Sequence, residues 1–158
     1  KEPVRFSKLL RSYAVELLNG GLSDSYSVEV EIKPPAENAI LECDSRLILR
    51  AISNLVQNSI KHNPQGCEIM LTLDCSETTI TVTVADNGVG LPPEKLRELQ
   101  EKPHYMESTD ERLNLRHGLG ILLVRQIVEA HGGTMIIESE PEQGYQTVLC
   151  FQVQASQG

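Results

Sequence analysis

The chain has 158 residues, enough to bury a proper core in one domain, and its 40% hydrophobic and 23% charged content is that of an ordinary globular protein. A net charge of −8 with no basic stripe excludes general nucleic-acid binding, and two Phe with no Trp leave no base-stacking platform. No apolar run approaches membrane-spanning length, so no membrane contact is expected of this stretch, and Lys1-Glu2-Pro3 does not open a signal peptide.

The missing initiator Met suggests a piece of a longer protein, whose membrane anchor, if it has one, lies outside these residues. Cys43, Cys67, Cys75 and Cys150 form no C-x-x-C pair, so a zinc site is not expected. They read as reduced thiols of a cytosolic protein.

Apolar residues at helical spacing (Phe6, Leu9, Leu10, Ala14, Leu17, Leu18) predict a helix over 4–18, stopped by Asn19-Gly20-Gly21. Alternating Val28, Val30 and Ile32 predict a strand over 27–32, which Pro34-Pro35 breaks, and Ile40-Leu41 suggests a short second strand. Asp44 reads as the N-cap of a helix reaching His62, closed by Asn63-Pro64-Gln65-Gly66. Strands are expected over 68–74 and 79–85, joined at Ser76-Glu77. A short helix over 94–100 and a polar loop over 101–117 follow. An apolar helix over 119–130 stops at His131-Gly132-Gly133, and strands over 134–138 and 147–153 flank a turn at 141–146. The order α-β-β-α-β-β-α-β-β does not alternate strictly, which favours a mixed sheet covered on one face by helices.

Three stretches carry groups suited to chemistry. Asp86-Asn87-Gly88-Val89-Gly90 ends an alternating strand in a carboxylate and two glycines. The carboxylate can accept from an exocyclic amine while the glycines let a flat ligand approach the backbone, although Asp-x-Gly is also a plain turn signal. On the helix after Asp44, residues Asn54, Asn58, Lys61 and His62 share one sector beside the apolar face. Carboxamide oxygens and an ammonium there suit a Mg²⁺-bound polyphosphate, or simply a solvated face. Gly118-Leu119-Gly120 opens the apolar helix and offers bare N–H groups to an anion. A Rossmann fingerprint is not met, because Leu123 stands where its third glycine belongs, and there is no Walker A pattern.

Together these stretches resemble the ATP-binding domain of the histidine kinases in the GHKL superfamily. Asn54-Leu55-Val56-Gln57-Asn58-Ser59-Ile60-Lys61-His62 is similar to the family's N box, Asp86 to Gly90 to its G1 box, and Gly118-Leu119-Gly120-Ile121 to its G2 box. Glu142-Gln143-Gly144-Tyr145-Gln146-Thr147 is similar to its last glycine-threonine turn. The resemblance spans nearly the whole chain and implies one domain over 1–158 with the Bergerat fold, an α/β two-layer sandwich. Its mixed, mainly antiparallel sheet is covered on one face by about three helices.

It implies ATP and Mg²⁺ as ligands, with Asp86 accepting from the adenine amino group and Asn58 on the metal with Asn54 beside it. Lys61 would reach the phosphates, His62 the adenine or ribose, and Thr147 would lie near Asp86. Gly88, Gly90, Gly118, Leu119 and Gly120 would shape the pocket and the hinges of an ATP lid over 91–117, with Lys102, Arg112 and Arg116 as candidate phosphate contacts. Departures from the pattern fall mainly in the lid. Arg116 replaces the first glycine of Gly-x-Gly-x-Gly, and the usual phenylalanine pair gives way to Leu96, Leu99, Tyr105 and Met106. In the last turn, Gln146 replaces a second glycine.

The implied reaction passes the γ-phosphoryl group of ATP to a histidine, with Asn58 and Lys61 carrying catalysis by positioning and charge neutralisation. None of the four histidines lies in a His-Glu/Asp…Pro acceptor pattern. The acceptor is therefore expected on a helical domain upstream, which would also hold the parent's homodimer contacts and leave this fragment a monomer. A response regulator would take the phosphate onward, and the domain would lie in the cytoplasm. A regulatory pseudokinase module, or a GHKL ATPase or serine kinase, are the alternatives. Asn54 stands where the ATPases carry a Glu base, which favours phosphotransfer over water activation.

Overall fold

A computed structural model describes residues 1–89, 94, 97, 119–140 and 144–153. In chain order its elements are β1 (Glu2–Arg5), α1 (Phe6–Asn19), β2 (Tyr26–Ile32), β3 (Ile40–Cys43), α2 (Ser45–His62), β4 (Cys67–Cys75) and β5 (Thr79–Asp86). Next come α3 (Leu119–Ala130), β6 (Thr134–Glu140) and β7 (Gly144–Gln152). A five-stranded sheet has the order β2-β4-β5-β7-β6, and β1 and β3 form a separate antiparallel pair. Only the β2–β4 pairing within the larger sheet is parallel. This is the mixed, mainly antiparallel sheet with helices on one face that the sequence predicts.

Strand alternation sets the layers. Ile80, Val82, Val84 and Asp86 of β5 are buried, while Thr79, Thr81, Thr83 and Ala85 are half-buried on the other face. Leu149 and Phe151 of β7 lie opposite Val82 and Ile80, extending the apolar face across the sheet. Against it pack Phe6 and Leu10 of α1, Ile48, Ile52, Leu55 and Val56 of α2, and Ile121, Val124 and Val128 of α3. The Phe6 and Phe151 rings meet edge to face with centroids 5.9 Å apart.

Helix α2 starts where the sequence places it, because the Asp44 side chain accepts from the backbone N–H groups of Arg46 and Leu47. Its N-terminus is tied to the end of α3 through His131. The ring Nδ1–H donates to the Ile127 carbonyl (2.8 Å), and Nε2 accepts the Asp44 N–H (3.1 Å). A carbonyl cannot donate, so the pair of bonds fixes one neutral tautomer.

The structure differs from the sequence reading at three places. Strand β1 was not expected: its four residues are mostly exposed and include Pro3, and it forms only because β3 lies beside it, with Val4 opposite Leu41. Helix α1 accordingly begins at Phe6. Strand β7 begins at Gly144 and so absorbs part of the expected 141–146 turn. Most of the expected 94–100 helix and the whole 101–117 loop lie outside the described residues; Glu94 and Arg97 are helical. Among the described residues no helix is long and apolar enough to cross a membrane, and all four cysteines are free.

Candidate functional site

Two elements converge at one end of the sheet: the C-terminal end of α2 and the loop leaving β5. Asp86 is the last residue of β5 and only 8% exposed. Its Oδ1 accepts the Gly88 N–H at 2.9 Å, closing an Asx turn. Its Oδ2 is buried with no hydrogen-bond partner among the described residues. A buried acceptor left this way is costly, and a ligand donor resolves it.

Thr147 lies one strand over, opposite Val84 and therefore on the same face as Asp86. It is fully buried, and its Oγ1 likewise has no partner among the described residues. Two residues before Thr147 on β7 is Tyr145, opposite Asp86 and edge-on to the His62 ring at a centroid distance of 6.0 Å. His62, half-buried at the last turn of α2, thus overlies the strand carrying Tyr145 and Thr147. The Gly144 backbone is pressed so closely on β5 that a Cβ there would lie 2.1 Å from the Asp86 carbonyl oxygen, and its φ is +100°. No other residue fits.

Asn54 and Asn58 are one helical turn apart on α2, both half-buried, and no hydrogen bond of either carboxamide is found among the described residues. Lys61 follows on the same flank and is exposed. Neutral carboxamide oxygens free to accept suit a hard cation that keeps most of its ligands from phosphate and water. No cluster of three or more His, Cys, Asp or Glu capable of holding a metal alone occurs among the described residues. Gly88 sits at the start of the loop after β5. Gly90, Arg116 and Gly118, with Lys102 and Arg112, lie outside the described residues; Leu119 and Gly120 form the first turn of α3.

The loop after β5 is anchored on two sides by asparagines that the sequence marks only as a turn residue and a helix stop. Asn87 Oδ1 accepts the Glu68 N–H (2.8 Å), and its Nδ2 donates to Glu68 Oε1 (3.0 Å). Asn63, just past α2, donates from Nδ2 to the Ser59 carbonyl (2.8 Å) and accepts the Val89 N–H on Oδ1 (2.8 Å). The thiol of Cys67 nearby is pushed up to about 11 by burial, with the Asp86 charge adding and a hydrogen bond from Asn63 opposing. In the sequence Tyr145 reads only as part of a turn. Nothing in a sequence marks a tyrosine as lying opposite a given carboxylate; the strand register does.

The family model described as "Histidine kinase-, DNA gyrase B-, and HSP90-like ATPase" matches residues 43–155, which contain every element of this site. The chain belongs to this family. The ATPase-family domain is similar to the histidine protein kinase DivJ of Caulobacter vibrioides, at 35% identity over 118 residues, 74% of this chain and 19% of that protein. It is also similar to the adaptive-response sensory kinase SasA of a Synechocystis species, at 30% identity over 138 residues, 87% of this chain and 34% of the relative. The chain thus spans a minor part of these relatives' length. Its fold matches the solved catalytic domain of the histidine kinase ThkA with a TM-score of 0.75 at 22% identity, covering 95% of this chain and 93% of that one. The ATP-binding domain of PrrB from Mycobacterium tuberculosis gives a TM-score of 0.67 at 24% identity, with 96% of each chain covered. The Bergerat fold expected from the motifs is the fold present.

Proposed function

We propose that this chain is the catalytic domain of a sensor histidine kinase, binding Mg²⁺-ATP and passing the γ-phosphoryl group to a histidine on a helical acceptor domain of the same protein. The observation that carries this reading is the buried Oδ2 of Asp86, without a partner among the described residues, at the end of β5 where its loop meets the C-terminal end of α2. Asp86 accepts from the adenine amino group. Thr147 contributes its hydroxyl beside it, while His62 and Tyr145 wall the base. Gly88 lets the loop after β5 lie flat against the Asn63 carboxamide.

Asn58 offers an oxygen to Mg²⁺, with Asn54 next to it, and Lys61 neutralises phosphate charge. When bound, Mg²⁺ supplies charge neutralisation across the phosphates. The chain's own part is to hold the γ-phosphoryl group in line and keep its charge compensated. Residues 1–158 form one domain in this reading, and 91–117 with Gly90, Gly118, Leu119 and Gly120 form a lid and its hinges. Lys102, Arg112 and Arg116 are its candidate phosphate contacts. The parent protein dimerises through the acceptor domain and hands the phosphate to a response regulator; this domain lies in the cytoplasm, whether or not the parent is membrane-anchored, and by itself is monomeric.

The test is calorimetric titration of ATP with and without Mg²⁺, followed by phosphotransfer to a supplied histidine-bearing helical acceptor and to a serine-bearing one. Mg²⁺-sensitive binding and labelling of the histidine acceptor alone support the proposal. Binding without any transfer points instead to a regulatory pseudokinase, and labelled serine to a serine kinase.

A further inference from the structure

Asn63 is 4% exposed, and its side-chain amide, side-chain carbonyl and backbone carbonyl are all hydrogen-bonded. Its backbone carbonyl accepts both the Gly66 N–H (2.9 Å) and the Tyr26 hydroxyl (2.7 Å), fixing the chain where α2 ends. Its Nδ2 donates to the Ser59 carbonyl, one of those that a helix end leaves without an intrahelical partner. Its Oδ1 takes the Val89 N–H, 26 residues along the chain. Gly88 lies flat on the same carboxamide: a Cβ there would sit 1.9 Å from Asn63 Oδ1 and 2.5 Å from Nδ2.

Capping α2 needs only the contact to Ser59. The bond to Val89 does something else. It ties the helix that carries Asn58 and Lys61 to the loop that carries Asp86, so the two ends of an extended ligand are held at one spacing. The Asp86 turn itself is secured independently, through Gly88 and through the Asn87–Glu68 pair. An Asn is suited to the task because one group donates and accepts at once. Asp lacks the donor and adds a second buried carboxylate beside Asp86; Leu fills the volume and does neither.

We infer that Asn63 is a positioning residue for ATP binding, its carboxamide coupling the phosphate-facing flank of α2 to the adenine-facing loop after β5. This rests on the nucleotide-site reading above. Asn63 touches neither end of the ligand and acts through the spacing between them. Its loss therefore weakens ATP, which bridges both ends, more than adenosine, which occupies one.

The experiment compares ATP and adenosine affinities of the chain with Asn63→Leu, Asn63→Thr and Asp86→Asn variants. Asn63→Leu is expected to weaken ATP about tenfold or more and adenosine less than about threefold. In Asn63→Thr a hydroxyl one bond shorter than the carboxamide can keep only part of the contacts to Ser59 and Val89, so ATP affinity should lie between those of Asn63→Leu and the unsubstituted chain. Asp86→Asn weakens both ligands. Should Asn63→Leu bind ATP within twofold while Asp86→Asn fails to, Asn63 is a cap and nothing more, and the site reading survives. Undiminished binding of both ligands by Asp86→Asn, or no ATP binding by the unsubstituted chain, removes the site reading and this inference with it. If Asn63→Leu does not fold, amide exchange of Val89 in the unsubstituted chain decides. Protection that rises with ATP supports the coupling, and fast exchange at saturating ATP overturns it.

Discussion

Replacing Asp86 by Asn changes one atom at the centre of the proposed site. Oδ1 keeps its bond from Gly88, so the turn after β5 survives, but the buried Oδ2 becomes an NH₂ group. Toward an adenine amino group an acceptor has become a donor. A hydrogen bond to a charged acceptor contributes about 1.5–3 kcal/mol, and the ligand amine left buried without a partner costs about 1 kcal/mol more. The loss of about 2–4 kcal/mol corresponds to a Kd about thirtyfold to several hundredfold weaker, at about 1.4 kcal/mol per decade. Without ligand the same change removes a buried carboxylate that makes no ion pair among the described residues, so the melting temperature should stay level or rise. Weakened affinity without lost stability marks a residue retained for binding. Calorimetry and thermal melting on one sample read both quantities. ATP affinity within threefold of the unsubstituted chain would refute the placement of adenine at Asp86.

Gly88→Ala forces a Cβ to within 1.9 Å of Asn63 Oδ1, so the contact to Val89 must break; a loss of about 1–3 kcal/mol in urea unfolding, together with weaker ATP binding, is expected. Asp44→Ala removes the cap of α2 and should cost about 0.5–2 kcal/mol in the same assay. Because the 18-residue helix carries His62 roughly 27 Å away at 1.5 Å per residue, ATP affinity should hardly move. Burial pushes the thiols of Cys43 and Cys67 up to about 11, from an ordinary value of 9. The folded chain thus favours their neutral form, so their stabilisation is complete below pH 9 and is lost as pH rises toward about 11. The urea midpoint should fall over that window and fall less in a Cys43→Ala, Cys67→Ala double variant; identical slopes would show that neither thiol contributes.

Much of this domain is written locally. The cap at Asp44, the 3.6-residue periodicity of α2 and α3 and the alternation of β5 are properties of short windows, and each element appears within a residue or two of its expected place. The motif residues were legible for the same reason, since Asn54, Asn58, Lys61 and His62 share a helix flank by spacing alone, and Asp86 ends an alternating run. What a short window cannot contain is who stands opposite whom. Strand β1 exists only because β3 offers it a partner. Tyr145 joins the site because the β5–β7 register sets it against Asp86, and the Asn63 carboxamide reaches Val89 across 26 residues. An asparagine after a helix reads as a stop signal, and whether it is also buried depends on loops that fold over it. Local propensity fixed where the helices and strands lie; the long-range register of the sheet and the burial of polar groups decided which of their side chains meet.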